Sequence, residues 1–143
     1  ENILGAIGFG KAAEVVIHNS GENTKVKNLR DLFETKLSQH FPRVNILSQN
    51  VSRLGNTSAI VMPGVLAETQ VMGFDLDGIC LSAGAACSSG KVKRSHVVEA
   101  MNIGDEPATN TVRVSFGWDS TEPEIDFLID TWLKIYERAN KKI

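Results

Sequence analysis

The sequence contains one thiol in surroundings that favour thiol chemistry. Cys87 lies in a run of small residues, 82–90 (SAGAACSSG), shortly after the apolar segment 79–81, which predicts a strand. No large side chain in this run covers the sulfur, and thiol reactivity depends on access as well as on the fraction of thiolate. Composition alone leaves an inert linker cysteine open, since most isolated cysteines behave as small apolar residues.

The basic residues near Cys87, the histidines and the second cysteine give weaker indications of function. Lys91, Lys93 and Arg94 could favour a thiolate at Cys87, or form a solvated loop edge. None of the histidines has zinc-type spacing with a cysteine, and the two cysteines form no Cys-x-x-Cys unit, so no metal site is predicted. Cys80, inside the apolar segment, is predicted to lie in the core.

Several blocks together resemble the small C-terminal domain of class I cysteine desulfurases, enzymes that use pyridoxal phosphate to take sulfur from free cysteine. The family's cysteine loop matches residues 82–90 except at Ala83. Matching blocks also occur, in the family's order, within residues 1–10, 54–65 and 111–121. The resemblance thus covers nearly the whole chain, and its specific parts are the cysteine loop and the Arg-x-Ser-x-Gly block that ends the third match.

The resemblance implies roles for individual residues. Cys87 corresponds to the nucleophile that takes sulfur from substrate cysteine, which leaves an enzyme persulfide and alanine. Arg113 matches the arginine that binds the substrate carboxylate, and a guanidinium suits this task because it meets a carboxylate with two parallel hydrogen bonds. Asn56 is a further candidate for substrate binding. Asn56 and Ser115 both lie in matching blocks. A turn-forming role for Asn56 and a structural role for Ser115 would explain these two matches equally well.

The resemblance also implies that part of the enzyme lies elsewhere. Family members are far longer, and the lysine that holds pyridoxal phosphate belongs to a large domain upstream of the matching region. No lysine here lies in that motif, and no acidic partner for the pyridine nitrogen can be assigned. We therefore expect residues 1–143 to be one domain, the small domain of a fold-type I enzyme, present as a fragment or excised domain with no pyridoxal phosphate bound.

Helical periodicity predicts the elements that must position these residues. Residues 2–18 form a helix whose predicted packing face contains Leu4, Ile7, Ala12, Val15 and Val16. Residues 25–41 form an amphipathic helix that ends before Pro42.

Three further helices are predicted in the second half of the chain. One covers residues 66–74, and a short one runs from the N-cap Ser95 to Gly104. The last begins with a capping box formed by Thr121 and Glu124.

Strands alternate with these helices, at residues 44–47, 58–62, 79–81 and 111–117. This order predicts the α+β class, with a small mixed or antiparallel sheet of about three or four strands and helices packed mainly on one face.

Composition excludes some partners. At 143 residues and 42% hydrophobic, the chain can bury one core without disulfides. A net charge of −2 gives no broad attraction to nucleic acid or anionic membranes, and no apolar run approaches the ~20 residues of a membrane span.

Three functions stay open from the sequence. The preferred one is part of a desulfurase active site, with L-cysteine as substrate, persulfide passed to an acceptor such as an iron–sulfur scaffold or a tRNA-thiolation partner, and a homodimer in the full-length enzyme. The alternatives are a non-enzymatic sulfur carrier and a domain with an unreactive thiol, and selenocysteine lyase activity is chemically adjacent. The expected location is the cytoplasm, or the mitochondrial matrix for a eukaryotic source.

Overall fold

The predicted α+β class is confirmed. The computed structural model describes residues 1–84 and 95–141, and all of their side chains except those of residues 20–23. In chain order the elements are α1 (Ile3–His18), α2 (Ser20–His40), β1 (Asn45–Ile46), β2 (Thr57–Val61), α3 (Ala67–Leu76), β3 (Ser82–Ala83), α4 (His96–Ala100), α5 (Asp105–Asn110), β4 (Thr111–Ser115) and α6 (Glu122–Asn140). The strands lie in the order β1-β2-β4-β3, and every neighbouring pair is antiparallel.

The main core fills the space between one face of the sheet and helices α2, α3 and α6. The central strands send Ile60, Val112 and Val114 into it. The helices contribute buried side chains from Leu29, Phe33, Leu37, Phe74, Ile125, Leu128, Ile129, Trp132 and Ile135. Each such side chain stabilises the fold by about 1.5–3 kcal/mol when fully buried. A smaller cluster lies where α4 and α5 cover part of the opposite face, so the helices pack mainly on one face, as predicted.

Helix α1 forms where the sequence predicts it, but its predicted packing face is not buried in the described structure. Asn2 caps the helix, because its Oδ1 accepts a hydrogen bond of 2.9 Å from the Gly5 N–H. The whole predicted face, from Leu4 to Val16, is exposed in the described structure, and these two side chains are 83% and 64% exposed. Apolar residues such as Phe9 occur around the entire helix, so periodicity indicated a helix without selecting the face that packs.

The strand predicted at residues 79–81 is also wrong, since β3 begins at Ser82, directly after the predicted strand ends. Gly78, with φ of +79°, ends α3, and the Ile79 N–H donates to the Phe74 carbonyl at 2.9 Å. That N–H caps the helix and is not free for a sheet. Cys80, predicted to be a core residue, is exposed, whereas its two neighbours pack against the core.

Other boundaries differ by smaller amounts. Helix α2 begins at Ser20, five residues before its predicted start. The helix predicted over residues 95–104 is shorter, since α4 ends at Ala100, and Gly104 instead precedes α5 with φ of +101°. Helix α5 was not predicted, and Pro107 is compatible with it because a proline fits the first turn of a helix. None of the helices in the described part of the chain has the length and apolar character of a membrane span.

The last helix has the N-terminal cap that the sequence predicts. The Glu124 carboxylate accepts hydrogen bonds from the Thr121 N–H at 2.7 Å and from the Thr121 hydroxyl at 2.9 Å. These contacts satisfy a donor at the start of α6, the helix that contributes the fully buried Trp132 to the core.

Replacement of Thr121 by alanine tests this cap. We expect Thr121→Ala to lower the free energy of unfolding by about 1 kcal/mol, because the contacts of the Thr121 hydroxyl are lost while its backbone N–H still reaches Glu124. Chemical denaturation followed by circular dichroism measures the change. The matched control is Thr35→Ala at an exposed position of α2, where the hydroxyl donates to the Asp31 carbonyl one turn earlier. We expect no loss there. Equal losses in both variants would contradict a role for the cap.

Candidate active site

Arg113 lines a cleft on the face of the sheet opposite the main core. It occupies β4, between Ala59 of β2 and Ser82 of β3 in the antiparallel register. The cleft has a volume of about 390 Å³ and combines polar groups with an apolar wall. The apolar wall contains Leu47, Leu54, Ala59, Val97, Val98 and Met101. A volume of this size is typical of sites for small ligands.

The Arg113 side chain has an unused hydrogen-bond donor. Its Nε is buried, and no partner for it is found among residues 1–84 and 95–141. A buried donor without a partner costs about 1–3 kcal/mol, and a charged donor costs more. A bound carboxylate would satisfy Nε and a terminal nitrogen of the guanidinium together. A guanidinium with an unpaired Nε is therefore chemically suited to a carboxylate ligand.

The chain segment that contains Cys87 starts and ends at the same cleft. Gly84 and Ser95, the described residues on either side of the segment, both line it. The Gly84 N–H donates to the Thr111 carbonyl at 3.0 Å, and the Ser95 N–H donates to the Ala108 carbonyl at 3.0 Å. Cys87 itself lies outside the described residues, as do the neighbouring cations at positions 91, 93 and 94.

Asn56 lines a neighbouring pocket and not the Arg113 cleft. Its side chain is exposed, and its backbone carbonyl accepts a hydrogen bond of 2.8 Å from the Phe116 N–H. The pocket has a volume of about 510 Å³ and includes Val16 of α1 and Trp118. Leu54 lines both cavities, so the two predicted substrate-binding residues lie on adjoining surfaces.

Sequence reasoning missed a second arginine in the Arg113 cleft and the acid that binds it. Arg53 lines the cleft, and its Nη2 donates to Glu34 Oε2 at 2.6 Å. Glu34 is only 5% exposed, and its other carboxylate oxygen accepts a hydrogen bond of 2.7 Å from Ser58. A signal was present in α2, because Glu34 directly follows the core residue Phe33 in a position where a charged group needs a partner.

The electrostatics of Glu34 follow from these contacts. Burial raises the pKa of the Glu34 carboxyl, but the hydrogen bonds from Arg53 and Ser58 and the charge of Arg53 lower it more. The resulting pKa lies below the ordinary value of 4.5. Glu34 and Arg53 therefore form an ion pair at neutral pH.

Comparison with known proteins places this architecture in a family. The family model for aminotransferase class-V matches residues 1–128. The chain belongs to the aminotransferase class-V family.

Individual relatives agree with this assignment. The chain is 38% identical over 130 residues to a cysteine desulfurase of Cereibacter sphaeroides, and 33% identical over 144 residues to the cysteine desulfurase IscS of Clostridium botulinum. These matches cover 91% and 99% of this chain but 33% and 36% of the relatives, so the chain spans about a third of their length.

Solved structures show the same relation. A NifS-like protein from Rickettsia africae superimposes with a TM-score of 0.80 at 38% identity, over 96% of this chain and 35% of that one. A second NifS-like protein, at 23% identity and a TM-score of 0.76, shares the fold.

The described residues do not fit the pyridoxal phosphate site that the family implies. A Schiff base to the cofactor needs a lysine in the site, and no lysine among residues 1–84 and 95–141 lines the Arg113 cleft. The same part of the chain also contains no group of three or more potential metal ligands. We assign no cofactor chemistry to the described residues.

The depressed pKa of Glu34 predicts a pH effect on stability. Because the pKa is lower in the folded than in the unfolded chain, ionised Glu34 stabilises the fold above its ordinary pKa, and this contribution is lost as the pH falls through the folded value. We expect the free energy of unfolding to decrease below about pH 4.5 and Glu34→Gln to flatten this decrease. Denaturant titrations across the acidic range measure it.

The control for this effect is Glu137→Gln, which removes an exposed carboxylate that contacts Lys141 at 3.3 Å. Solvent screens this pair, so the wild-type pH dependence should persist. If both variants have the same acidic slope as the wild type, Glu34 does not contribute as stated.

Proposed function

We propose that this chain supplies the sulfur-accepting thiol and the substrate-carboxylate site of a pyridoxal-phosphate-dependent cysteine desulfurase. Cys87 is the nucleophile and Arg113 binds the carboxylate of L-cysteine. The observation that carries the proposal is that the segment with Cys87 leaves and re-enters the fold at the cleft where the Arg113 Nε has no partner in the described structure. The family and the names of the relatives support the same activity.

Chain connectivity supports the pairing of thiol and arginine. Cys87 is three residues beyond Gly84, which lines the cleft. Three residues of fully extended chain span at most about 11 Å. The cleft is also large enough for a small amino acid. Asn56, on the adjoining surface, is the second substrate contact in this proposal.

The overall reaction balances without an external oxidant or reductant. The bond between carbon and sulfur of cysteine breaks, a bond forms between that sulfur and Cys87 Sγ, and the carbon gains a hydrogen. The products are alanine and a persulfide on Cys87. The attacking species is the thiolate, and because a free thiol has a pKa of about 8.5, only a few per cent is ionised at neutral pH.

The rest of the active site belongs, in this proposal, to a large domain that corresponds to the two thirds of the relatives not matched here. That domain holds pyridoxal phosphate through its lysine, while residues 1–143 form the small domain. The assembled enzyme is a homodimer that passes sulfur to an acceptor such as an iron–sulfur scaffold protein. Because the named relatives are bacterial, we propose the cytoplasm as its location.

A chimera tests the function directly. It joins this chain to the part of the Cereibacter sphaeroides cysteine desulfurase that lies outside the matched region. With cysteine and pyridoxal phosphate, we expect alanine release and a Cys87 persulfide, seen by intact mass as one added sulfur atom. Cys87→Ala should abolish both, and Cys80→Ala, which removes the other thiol, should leave both intact.

Arg113→Lys should raise the KM for cysteine at least about tenfold, because the paired hydrogen bonds are lost.

Other outcomes would contradict the proposal. Persulfide on this chain alone with cysteine and pyridoxal phosphate would show that the cofactor chemistry is not located elsewhere. A chimera that holds the cofactor but forms no persulfide on Cys87 would favour an unreactive thiol. Persulfide acquired only from a persulfide donor protein would favour a sulfur carrier.

Helix α1 supports the presence of a large domain and provides a second test. The family model includes α1, yet this apolar helix has no buried residue in the described structure. We propose that the large domain covers it. Ile7→Glu in the chimera should therefore reduce cofactor retention, measured by absorbance after gel filtration. Val51→Glu is the control, since Val51 is 61% exposed, close to the 64% of Ile7, but lies in a loop away from α1. Equal retention in both variants would contradict this interface.

A further inference from the structure

Two arginines line the same cleft, but they differ in their hydrogen-bond partners. Arg113 has a buried Nε with no partner in the described part of the chain. Arg53 is bound at both terminal nitrogens, since Nη2 lies 2.6 Å from Glu34 and Nη1 lies 3.4 Å from the Thr57 carbonyl. Arg53 and Arg113 are the only charged residues among the described residues that line the cleft.

Glu34 is well placed to keep Arg53 occupied. Besides Arg53 it accepts hydrogen bonds from Ser58 at 2.7 Å and from Gln49 Nε2 at 3.5 Å. Its side chain is 7% exposed and that of Arg53 is 17% exposed. Solvent therefore screens the pair weakly, and a charge-assisted contact in such surroundings is strong.

The loop that carries Arg53 is also fixed to α2. Arg30, which is 5% exposed, donates to the Leu54 carbonyl at 2.9 Å. A Cβ atom on Gly55 would lie 3.0 Å from the Lys27 Cβ, so this part of the loop presses directly on the helix. Arg53 is consequently held at the side of the cleft, because the two residues that follow it are fixed against α2.

We propose that Glu34 is a specificity-determining residue that keeps Arg53 paired and leaves Arg113, of the two arginines that the structure describes in the cleft, as the one free to meet a carboxylate. The cleft then accepts one carboxylate and gains nothing from a second one on the same ligand. This inference rests on the proposed role of Arg113. It assigns to Glu34 the discrimination of monocarboxylates from dicarboxylates, a role in which Glu34 does not itself touch the ligand.

Loss of the Glu34 charge should therefore produce a gain of binding. The amide of Glu34→Gln retains a similar shape but no longer neutralises Arg53, so the cleft contains two uncompensated cations. A dicarboxylate then gains a second charged contact, which a monocarboxylate lacks. A purely structural role for Glu34 predicts the opposite, namely weaker binding of both ligand types.

The first experiment uses the wild-type 143-residue chain. Titrations with propionate and with succinate are followed by NMR at the Nε–Hε signals of Arg53 and Arg113, assigned by substitution. We expect both probes to shift the Arg113 signal with dissociation constants within about a factor of two, and the Arg53 signal to stay in place. A shift of Arg53 comparable to that of Arg113 would overturn the proposal without any need for a variant.

The second experiment repeats the titrations with Glu34→Gln. We expect succinate to shift both arginine signals and to bind at least about tenfold more tightly than propionate. The double variant Glu34→Gln/Arg53→Met should lose this preference, because the second cation is gone. Glu137→Gln changes the net charge equally, far from the cleft lining, and should retain the wild-type ratio.

The outcomes separate this inference from the proposed function. A Glu34→Gln chain that is folded but shows the wild-type ratio of succinate to propionate affinity overturns the role of Glu34. Absence of any Arg113 shift with either probe in the wild type overturns the carboxylate site itself. A Glu34→Gln chain that does not fold leaves the wild-type titration as the deciding measurement.

Discussion

The antiparallel pairing of β2 with β4 is the contact on which both the core and the candidate site depend. In its register Ile60 lies opposite Val112 and faces the core, while Ala59 lies opposite Arg113 and faces the cleft. Because side chains alternate along a strand, a slip of one residue would bury Arg113 and expose the buried Val112. The helices that cover one face of the sheet therefore fix the position of Arg113 on the other face.

The buried ion pair of Glu34 and Arg53 lies at the side of this cleft. Taking Glu34 out of water is costly, and the cost is offset only because Arg53 and Ser58 both donate to its carboxylate. Arg113 contrasts with this arrangement, since its buried Nε finds no partner among the described residues. Among the described residues that line the cleft, Arg113 Nε is the buried side-chain atom left without a partner, and a ligand that reaches it would satisfy it.

The sequence predicts those parts of this arrangement that depend on neighbouring residues. The capping box of Thr121 and Glu124 and the apolar face of α6 are local signals, and they predict the helix correctly. The strand misplaced at residues 79–81 depends on a helix cap formed at Gly78, which apolar composition does not reveal. Glu34 and Arg53 are nineteen residues apart, so their contact depends on how the loop folds back onto α2. Arg113 was predicted through a family resemblance, but its open Nε is visible only in three dimensions.

The apolar helix α1 and the Arg113 Nε–H both lack partners in the described structure, and they lie on adjoining surfaces. Val16 of the exposed helix α1 lines the same pocket as Asn56, and Leu54 lines both that pocket and the Arg113 cleft. An apolar helix gains stability when another protein surface covers it, and a buried guanidinium Nε–H gains stability when an anion accepts its hydrogen bond. Because Leu54 connects the two surfaces, a domain that covers α1 also adjoins the cleft. In the proposed full-length enzyme the candidate site therefore lies at a domain interface, where the large domain excludes water and strengthens the contact between Arg113 and a carboxylate.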